Sequence, residues 1–187
     1  MNFTYYDIII LILILLILYP FVIYPLVLFF LSKLFRNEPQ KKVGLRKKIS
    51  IIISCYNEEY LIEDCIKSIF QSDYPLEDIE VIVGSDGSTD RTTEIVRGLA
   101  NQYSQIKFFE LTRSGKNKVL NELCKKATGA ILFFLDADVR LSKNSISLML
   151  ENYEDKNVGA VLAYVMNINT EEDINAGHLT EDFYQRF

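Results

Sequence analysis

Hydrophobic and polar positions follow two regimes along this chain. From Ile8 to Leu31 no residue is charged. That run of about 24 residues would extend about 36 Å as a helix, against a bilayer hydrocarbon core of about 30 Å. Beyond Lys48 the pattern breaks into short apolar runs separated by amphipathic stretches. Ile49–Ser54, Ile79–Val83 and Ile106–Leu111 are rich in β-branched and aromatic residues and read as strands. Ile131–Leu135 is an uninterrupted apolar run, right for a buried strand, and it delivers Asp136 and Asp138 at its end. Between these runs, Glu58–Gln71, Asp90–Tyr103 and Lys116–Ala127 place apolar residues at helical spacing. Leu141–Asn152 reads as a further helix, and Val158–Ile168 alternates as a half-exposed strand. Gly177–Phe187 looks like the opening of another helix. Strand and helix alternate repeatedly, which predicts an α/β domain with a mostly parallel sheet and helices on both faces.

The first regime reads as an uncleaved membrane anchor. A cleaved signal peptide would carry positive charge before a shorter apolar core and a small-residue cleavage site, and none of these is present. Pro20 and Pro25 are expected to kink the helix, and Tyr5, Tyr6, Tyr19 and Tyr24 include candidate interfacial anchors. Only Asp7 is charged before the span, whereas Lys33, Arg36, Lys41, Lys42, Arg46, Lys47 and Lys48 follow it with Glu38 the one acid among them. That asymmetry places the globular part in the cytoplasm, and the same basic stretch would sit against anionic headgroups. The expected division is an anchor over residues 1–36, a basic linker over 37–48 and the globular part over 49–187.

Composition narrows the chemistry. A formal net charge of −5 argues against nucleic acid as a partner. The three cysteines, Cys55, Cys65 and Cys124, include no CxxC pair and read as reduced, buried thiols. His178 is the single histidine, so a His-rich zinc site is excluded. No GxSxG elbow is present for a serine hydrolase.

A parallel sheet gathers the residues just past its strands along one carboxyl edge, where such sheets bind ligands. Here those residues are Cys55 to Glu59, Ser85 to Asp90, Arg113 to Lys116, and Asp136 with Asp138. Each cluster has an ordinary structural role open to it: Ser88-Thr89-Asp90 can cap a helix and Gly115-Lys116 can form a turn. Together they form a rim suited to group transfer from a nucleoside diphosphate. Asp86 or Glu58 would accept hydrogen bonds from a base or ribose. Asp136 would hold ribose hydroxyls or a cation, and Asp138 would ligate Mg²⁺ or Mn²⁺, which favour oxygen donors. Lys116 would add positive charge near the phosphates.

These residues resemble glycosyltransferase family 2, the inverting enzymes that include cellulose, chitin and hyaluronan synthases. The resemblance rests on four motifs in order. They are Ser54-Cys55-Tyr56-Asn57-Glu58 after the first strand, Ser85-Asp86-Gly87-Ser88-Thr89-Asp90 after the second, Gly115 to Asn121, and Asp136-Ala137-Asp138. It implies a GT-A fold. It places Tyr56, Glu58 and Asp86 around the nucleotide base and ribose, Lys116 and Asp136 near the nucleotide sugar, and Asp138 on Mg²⁺ or Mn²⁺. It implies a membrane-anchored enzyme, expected in a bacterial inner membrane, that moves a sugar from a UDP-sugar to a glycan or lipid acceptor with inversion.

The sequence departs from the family pattern in places. Ser54 stands for the usual proline, and Ser85 stands for the first acid of an acidic pair. Thr180-Glu181-Asp182 resembles the catalytic-base motif but comes too soon after Asp138. The base is therefore expected downstream of Phe187. On this reading the globular part is a donor-binding half-domain, and a truncated product, a split gene whose acceptor half is a second chain, or a binding-only fragment are all open. A haloacid dehalogenase-like phosphatase also uses Asp-x-Asp after an apolar strand, but its motif stands near the start of the core domain. A dinucleotide-binding dehydrogenase would need a GxGxxG that is absent after the first strand.

Overall fold

The computed structural model describes residues 4–34 and 44–163. The chain forms two compact units, Met1–Pro39 and Gln40–Phe187. The first is a helix, α1 (Tyr5–Leu18) and α2 (Tyr24–Leu34), joined by one π-helical turn over Tyr19–Ile23. The expected proline disturbance takes this form. Pro20 has no N–H to donate, and the wider turn lets the Tyr24 N–H bond to the carbonyl of Tyr19 instead. Asp7 closes the helix start, accepting from the N–H of Thr4 at 2.8 Å and from its hydroxyl at 2.6 Å. The whole Tyr5–Leu34 segment is long and apolar enough to cross a membrane, and none of it is buried.

The second unit is built on a four-stranded parallel sheet of order β3-β2-β1-β4. The strands are β1 (Ile49–Cys55), β2 (Ile79–Asp86), β3 (Ile106–Leu111) and β4 (Ile131–Asp136). The connecting helices are α3 (Ile62–Phe70), α4 (Thr92–Gln102) and α5 (Lys116–Cys124), and α6 (Ser145–Glu151) comes after β4. The parallel α/β architecture expected from the sequence is thus the observed one.

Strand pleating sorts the core into two layers. Ile49, Ile51, Ile53 and Cys55 of β1 face Ile62, Cys65, Ile66 and Ile69 of α3, with Val96 and Leu99 of α4 and Ile146 and Leu150 of α6 in the same cluster. Ile52 and Ile82 turn the other way, onto Val119 and Leu123 of α5. Gly84 lets α5 lie close, since a Cβ there would stand 2.9 Å from both Val119 and Leu123 side chains.

Several elements differ from the sequence reading. The helix expected from Glu58 begins only at Ile62; ahead of it the Glu58 carbonyl accepts from the Leu61 and Ile62 N–H groups in a separate turn, and Thr92 and Asp90 hold the Glu58 and Glu59 N–H groups. α4 starts after Asp90, whose carboxylate accepts from the N–H and hydroxyl of Thr92, and so fills the capping role open to it. The fully buried strand expected over Ile131–Leu135 is covered on one face. Phe133 and Leu135 are buried, whereas Leu132 and Phe134 are 38% and 60% exposed. The reason is that α5 packs over β1 and β2 and leaves this face of β4 open among the described residues. Val158–Ala163 carry no strand pairing, and the remainder of that expected strand, with Thr180-Glu181-Asp182, lies outside the described residues.

The amino edge of the sheet is fastened by Glu80 of β2. Its carboxylate accepts from Ser50 Oγ of β1 at 2.5 Å, Lys107 Nζ of β3, and the N–H and hydroxyl of Thr128 before β4 at 2.9 and 3.1 Å. Gly129 completes the joint: its N–H meets Ser50 Oγ at 2.8 Å, and a Cβ would stand 2.5 Å from the Ile49–Ser50 backbone. Nearby, Arg46 pairs with Glu77 and Asp78, and the Tyr74 hydroxyl both donates to the Lys47 carbonyl and accepts from its N–H. Arg46 is thus paired with the domain's own acids.

Burial alone would raise the Glu80 carboxyl, but these donors outweigh it and bring it down to about 2. The folded value lies below the unfolded one, so the stabilisation is present above the unfolded value and is lost as pH falls through the folded one. Glu80→Gln is expected to lower stability by about 1–3 kcal/mol at pH 7. The gap to the wild type should narrow as pH falls from 5 toward 3, as read by circular-dichroism melts of the full chain; a gap independent of pH would refute the assignment.

Candidate functional site

The site forms where the sheet order reverses. β1 lies between β2 and β4, and the crossovers on its two sides pass over opposite faces. Loops that leave in opposite directions open a crevice at the carboxyl edge. Register sets the depth, with Cys55 opposite Ser85 and Ser54 opposite Asp136. The resulting cleft, about 290 Å³, is lined by Ser54, Cys55, Tyr56, Glu58, Asp86, Arg113, Lys116, Asp136, Ala137 and Asp138. All six residues singled out from sequence, Tyr56, Glu58, Asp86, Lys116, Asp136 and Asp138, thus line one cleft.

The loop after β1 is shaped by Asn57, the one non-glycine residue with a left-handed backbone among those described, at φ 56°. Its side-chain oxygen accepts the Thr89 N–H at 2.9 Å, and its own N–H donates to Ser88 Oγ at 3.2 Å. Glu58 N–H donates to Thr92 Oγ1 at 2.8 Å, and Glu59 N–H to Asp90 at 3.1 Å. Backbone groups of the first loop are thereby satisfied by side chains of the second, which joins the two loops. The Glu58 carboxylate is left toward the cleft. Burial first, then the charges of Asp138 and Asp90, raise its affinity for a proton.

At the end of β4, Ala137 turns inward and is buried while Asp136 and Asp138 stay exposed on either side of it. Cys65 Sγ lies 3.5 Å from the Asp136 carbonyl, and Leu141 N–H bonds to Ser68 Oγ at 3.0 Å, which ties this turn to α3. Lys116 Nζ is 2.7 Å from Asp136. Asp86 is almost wholly buried and takes donors from Ser114, Gly115 and Arg113. Burial would raise its carboxyl, but these donors hold it below its ordinary value. The Arg113 guanidinium lies over the Tyr56 ring, 3.6 Å from its centroid. Sequence reasoning places Arg113 at the rim and gives it no role; its stacking on Tyr56 depends on the fold, and spacing along the chain carries no sign of it.

This set favours an anionic ligand bridged through a cation. Asp136 and Asp138 supply hard oxygen donors, and Lys116 and Arg113 supply positive charge at the same cleft. No group of three His, Cys, Asp or Glu side chains gathers in metal-ligating fashion among the described residues. A cation held by Asp136 and Asp138 would therefore complete its shell with ligand oxygens and water, as Mg²⁺ and Mn²⁺ commonly do. Cys55 and Cys65 are pushed up to about 12 by burial, so neither is a thiolate nucleophile at neutral pH.

Comparison with known proteins decides the kinship. The family described as "Glycosyl transferase family 2" matches residues 50–187. The chain belongs to glycosyl transferase family 2. Poly-beta-1,6-N-acetyl-D-glucosamine synthase of Staphylococcus epidermidis is 33% identical over 132 residues, which cover 70% of this chain and 30% of that protein. The mannosyltransferase PcManGT of Pyrobaculum calidifontis, solved with GDP-Man and Mn²⁺, superposes with a TM-score of 0.68 at 30% identity, covering 76% of this chain and 43% of that one. TarS of S. aureus, solved with UDP-GlcNAc, gives a TM-score of 0.50 at 35% identity over 53% of this chain and 29% of that one. The fold of the glycosyl transferase 2 domain is of the GT-A type. The chain spans about a third of the length of the curated relatives it matches. Membership of this family sets aside the phosphatase and dehydrogenase alternatives.

Asn57 offers a direct test of the joined loops. Asn57→Ala removes the bond to Thr89 and places a Cβ-bearing residue without a polar side chain in the left-handed region, for an expected loss of about 2 kcal/mol. Asn57→Gly removes the same bond without the backbone strain and is expected to lose less, as read by thermal melts. Equal losses would show that the backbone conformation is not under strain.

Proposed function

We propose that this chain is the donor-binding part of a membrane-anchored, metal-dependent glycosyltransferase that uses a UDP-sugar. The observation that carries the reading is the pair of exposed carboxylates, Asp136 and Asp138, with Lys116 paired to Asp136, in a cleft that Tyr56 and Glu58 also line. In this reading Tyr56, Glu58 and Asp86 surround the base and ribose. Lys116 and Asp136 contact the diphosphate and sugar, and Asp138 holds Mg²⁺ or Mn²⁺. Bound there, the cation would neutralise charge on the departing diphosphate as the bond to the sugar breaks. An acceptor hydroxyl attacks from the opposite face, which inverts the anomeric centre. Its proton passes to a base that none of these cleft residues supplies.

Support comes from the relatives as well. PcManGT binds a nucleotide sugar with Mn²⁺, and TarS binds UDP-GlcNAc. The apolar Tyr5–Leu34 helix and the basic residues after it support a single-pass anchor with a cytoplasmic domain in a bacterial inner membrane. A glycan or lipid acceptor accords with the named product of the Staphylococcus epidermidis relative.

Calorimetry of the detergent-solubilised full chain with UDP-, GDP- and other nucleotide sugars, with and without Mn²⁺, tests the proposal. Mn²⁺-dependent binding with preference for UDP-sugars is expected, and Asp138→Asn is expected to weaken it at least about 30-fold, the equivalent of about 2 kcal/mol. Binding that is indifferent to Mn²⁺, or unchanged in the variant, would overturn the metal assignment.

A further inference from the structure

β4 leaves the sheet at Asp136, its last residue paired with β1, opposite Ser54. No ladder pairing fixes Asp138 two positions later, and its side chain is exposed. The turn that carries it is shaped by α3. Asp64 and Cys65 lie four and three positions before Ser68 on that helix, so the three share one flank. Each of them meets the segment after β4.

The three contacts are unequal. Arg140 pairs with Asp64, but the two side chains are 61% and 49% exposed, and such pairs hold little. Cys65 Sγ stands 3.5 Å from the Asp136 carbonyl, and a thiol is a weak donor. Ser68 is only 7% exposed. Its hydroxyl donates to the Cys65 carbonyl at 2.6 Å and accepts the Leu141 N–H at 3.0 Å. Donation to the helix backbone fixes the hydroxyl and leaves its acceptor side for Leu141. A polar side chain among the buried residues Ile62, Cys65, Ile66 and Ile69 needs partners of this kind.

The turn is thereby held at both ends. Ala137 is buried in the core at its start, and Leu141 packs on the same core at its end. Val139 packs there too, and its N–H returns to the Asp136 carbonyl at 3.1 Å. Ala137, Val139 and Leu141 face inward in alternation, and Asp138 is left to line the cleft. Ser68 itself is not among the cleft-lining residues. Its reach into the site passes through the turn.

We propose that Ser68 is a positioning residue for the cation site: by pinning Leu141 to α3 it closes the turn that presents Asp138 to the cleft. The purpose of that turn rests on the metal reading proposed above.

The test uses the full chain in detergent, with Mn²⁺ binding in the presence of UDP followed by electron paramagnetic resonance. Ser68→Ala removes the acceptor. It is expected to weaken Mn²⁺ binding about tenfold, and to speed exchange of the Leu141 amide about tenfold or more in the ligand-free protein. Ser68→Cys offers a weaker acceptor at similar volume. It should show smaller changes in the same direction, and it keeps the test decisive if the alanine variant fails to fold. Ser147→Ala removes the 2.8 Å bond to Asp73 further along the same segment. It leaves the turn itself intact and should keep Mn²⁺ affinity within about twofold of the wild type. Asp138→Asn, expected to cost at least about 30-fold in the wild-type background, should cost about fivefold or less in the Ser68→Ala background, since residues that act through one another are non-additive. Unchanged exchange at Leu141, unchanged Mn²⁺ affinity beside faster exchange, an equal loss from Ser147→Ala, or additive losses with Asp138→Asn would overturn the proposal. If the wild-type chain binds no Mn²⁺ with UDP, the metal reading itself falls. If it binds and Ser68→Ala binds equally well, the positioning role alone falls.

Discussion

The globular unit depends on the position of β1. It pairs in parallel with β2 on one side and with β4 on the other, and its apolar residues are buried on both faces of the sheet. Parallel pairing sends all strand ends to one edge, and the register aligns Ser54 with Asp136 and Cys55 with Ser85. Chain connectivity then does the rest. The crossover from β1 to β2 uses α3 on one face, and the crossover that returns to β4 uses α5 on the other. A crevice at the carboxyl end of β1 results from that geometry, whatever residues occupy it. The charged residues that do occupy it are four acids, Glu58, Asp86, Asp136 and Asp138, and two cations, Arg113 and Lys116.

Much of this was legible in the chain. β-branched runs and helical stripes located β1, β2, β3 and the connecting helices, and strict strand–helix alternation required a parallel sheet. The cleft residues could be named because a parallel sheet brings the segment after each strand to one edge. The misreadings have physical causes. An apolar run such as Ile131–Leu135 does not reveal which of its faces a neighbour covers, and Leu132 and Phe134 stay exposed. Glu58 and Glu59 are good residues for a helix start, but they lie in a separate turn whose backbone N–H groups bond to Thr92 and Asp90, more than thirty positions away, contacts that no local pattern shows. The stacking of Arg113 on Tyr56 joins two loops that no periodicity links.

The two edges of the sheet use charge in opposite ways. At the amino edge, Glu80 is enclosed by donors from β1, β3 and the segment before β4, so its charge serves to join strands. At the carboxyl edge, Asp86 is enclosed in the same manner, but its donors carry cations outward into the cleft. Asp136, Asp138 and Glu58 are left less enclosed, with Glu58 already disfavoured as an anion by its surroundings. Glu80 and Asp86 are thus held by protein donors, whereas the exposed carboxylates are open to the cleft.

The exposure of the Lys116–Asp136 pair has a consequence for timing. Both side chains are more than half accessible to solvent. Pairs of this kind are held by about 1 kcal/mol or less. The cleft therefore has two charge arrangements of nearly equal free energy, one with the lysine resting on the aspartate and one with it swung free. Exchange between such exposed rotamers takes place in picoseconds to nanoseconds. Any anionic ligand would find the free lysine already well populated, and its capture would not wait for a slow rearrangement of this residue.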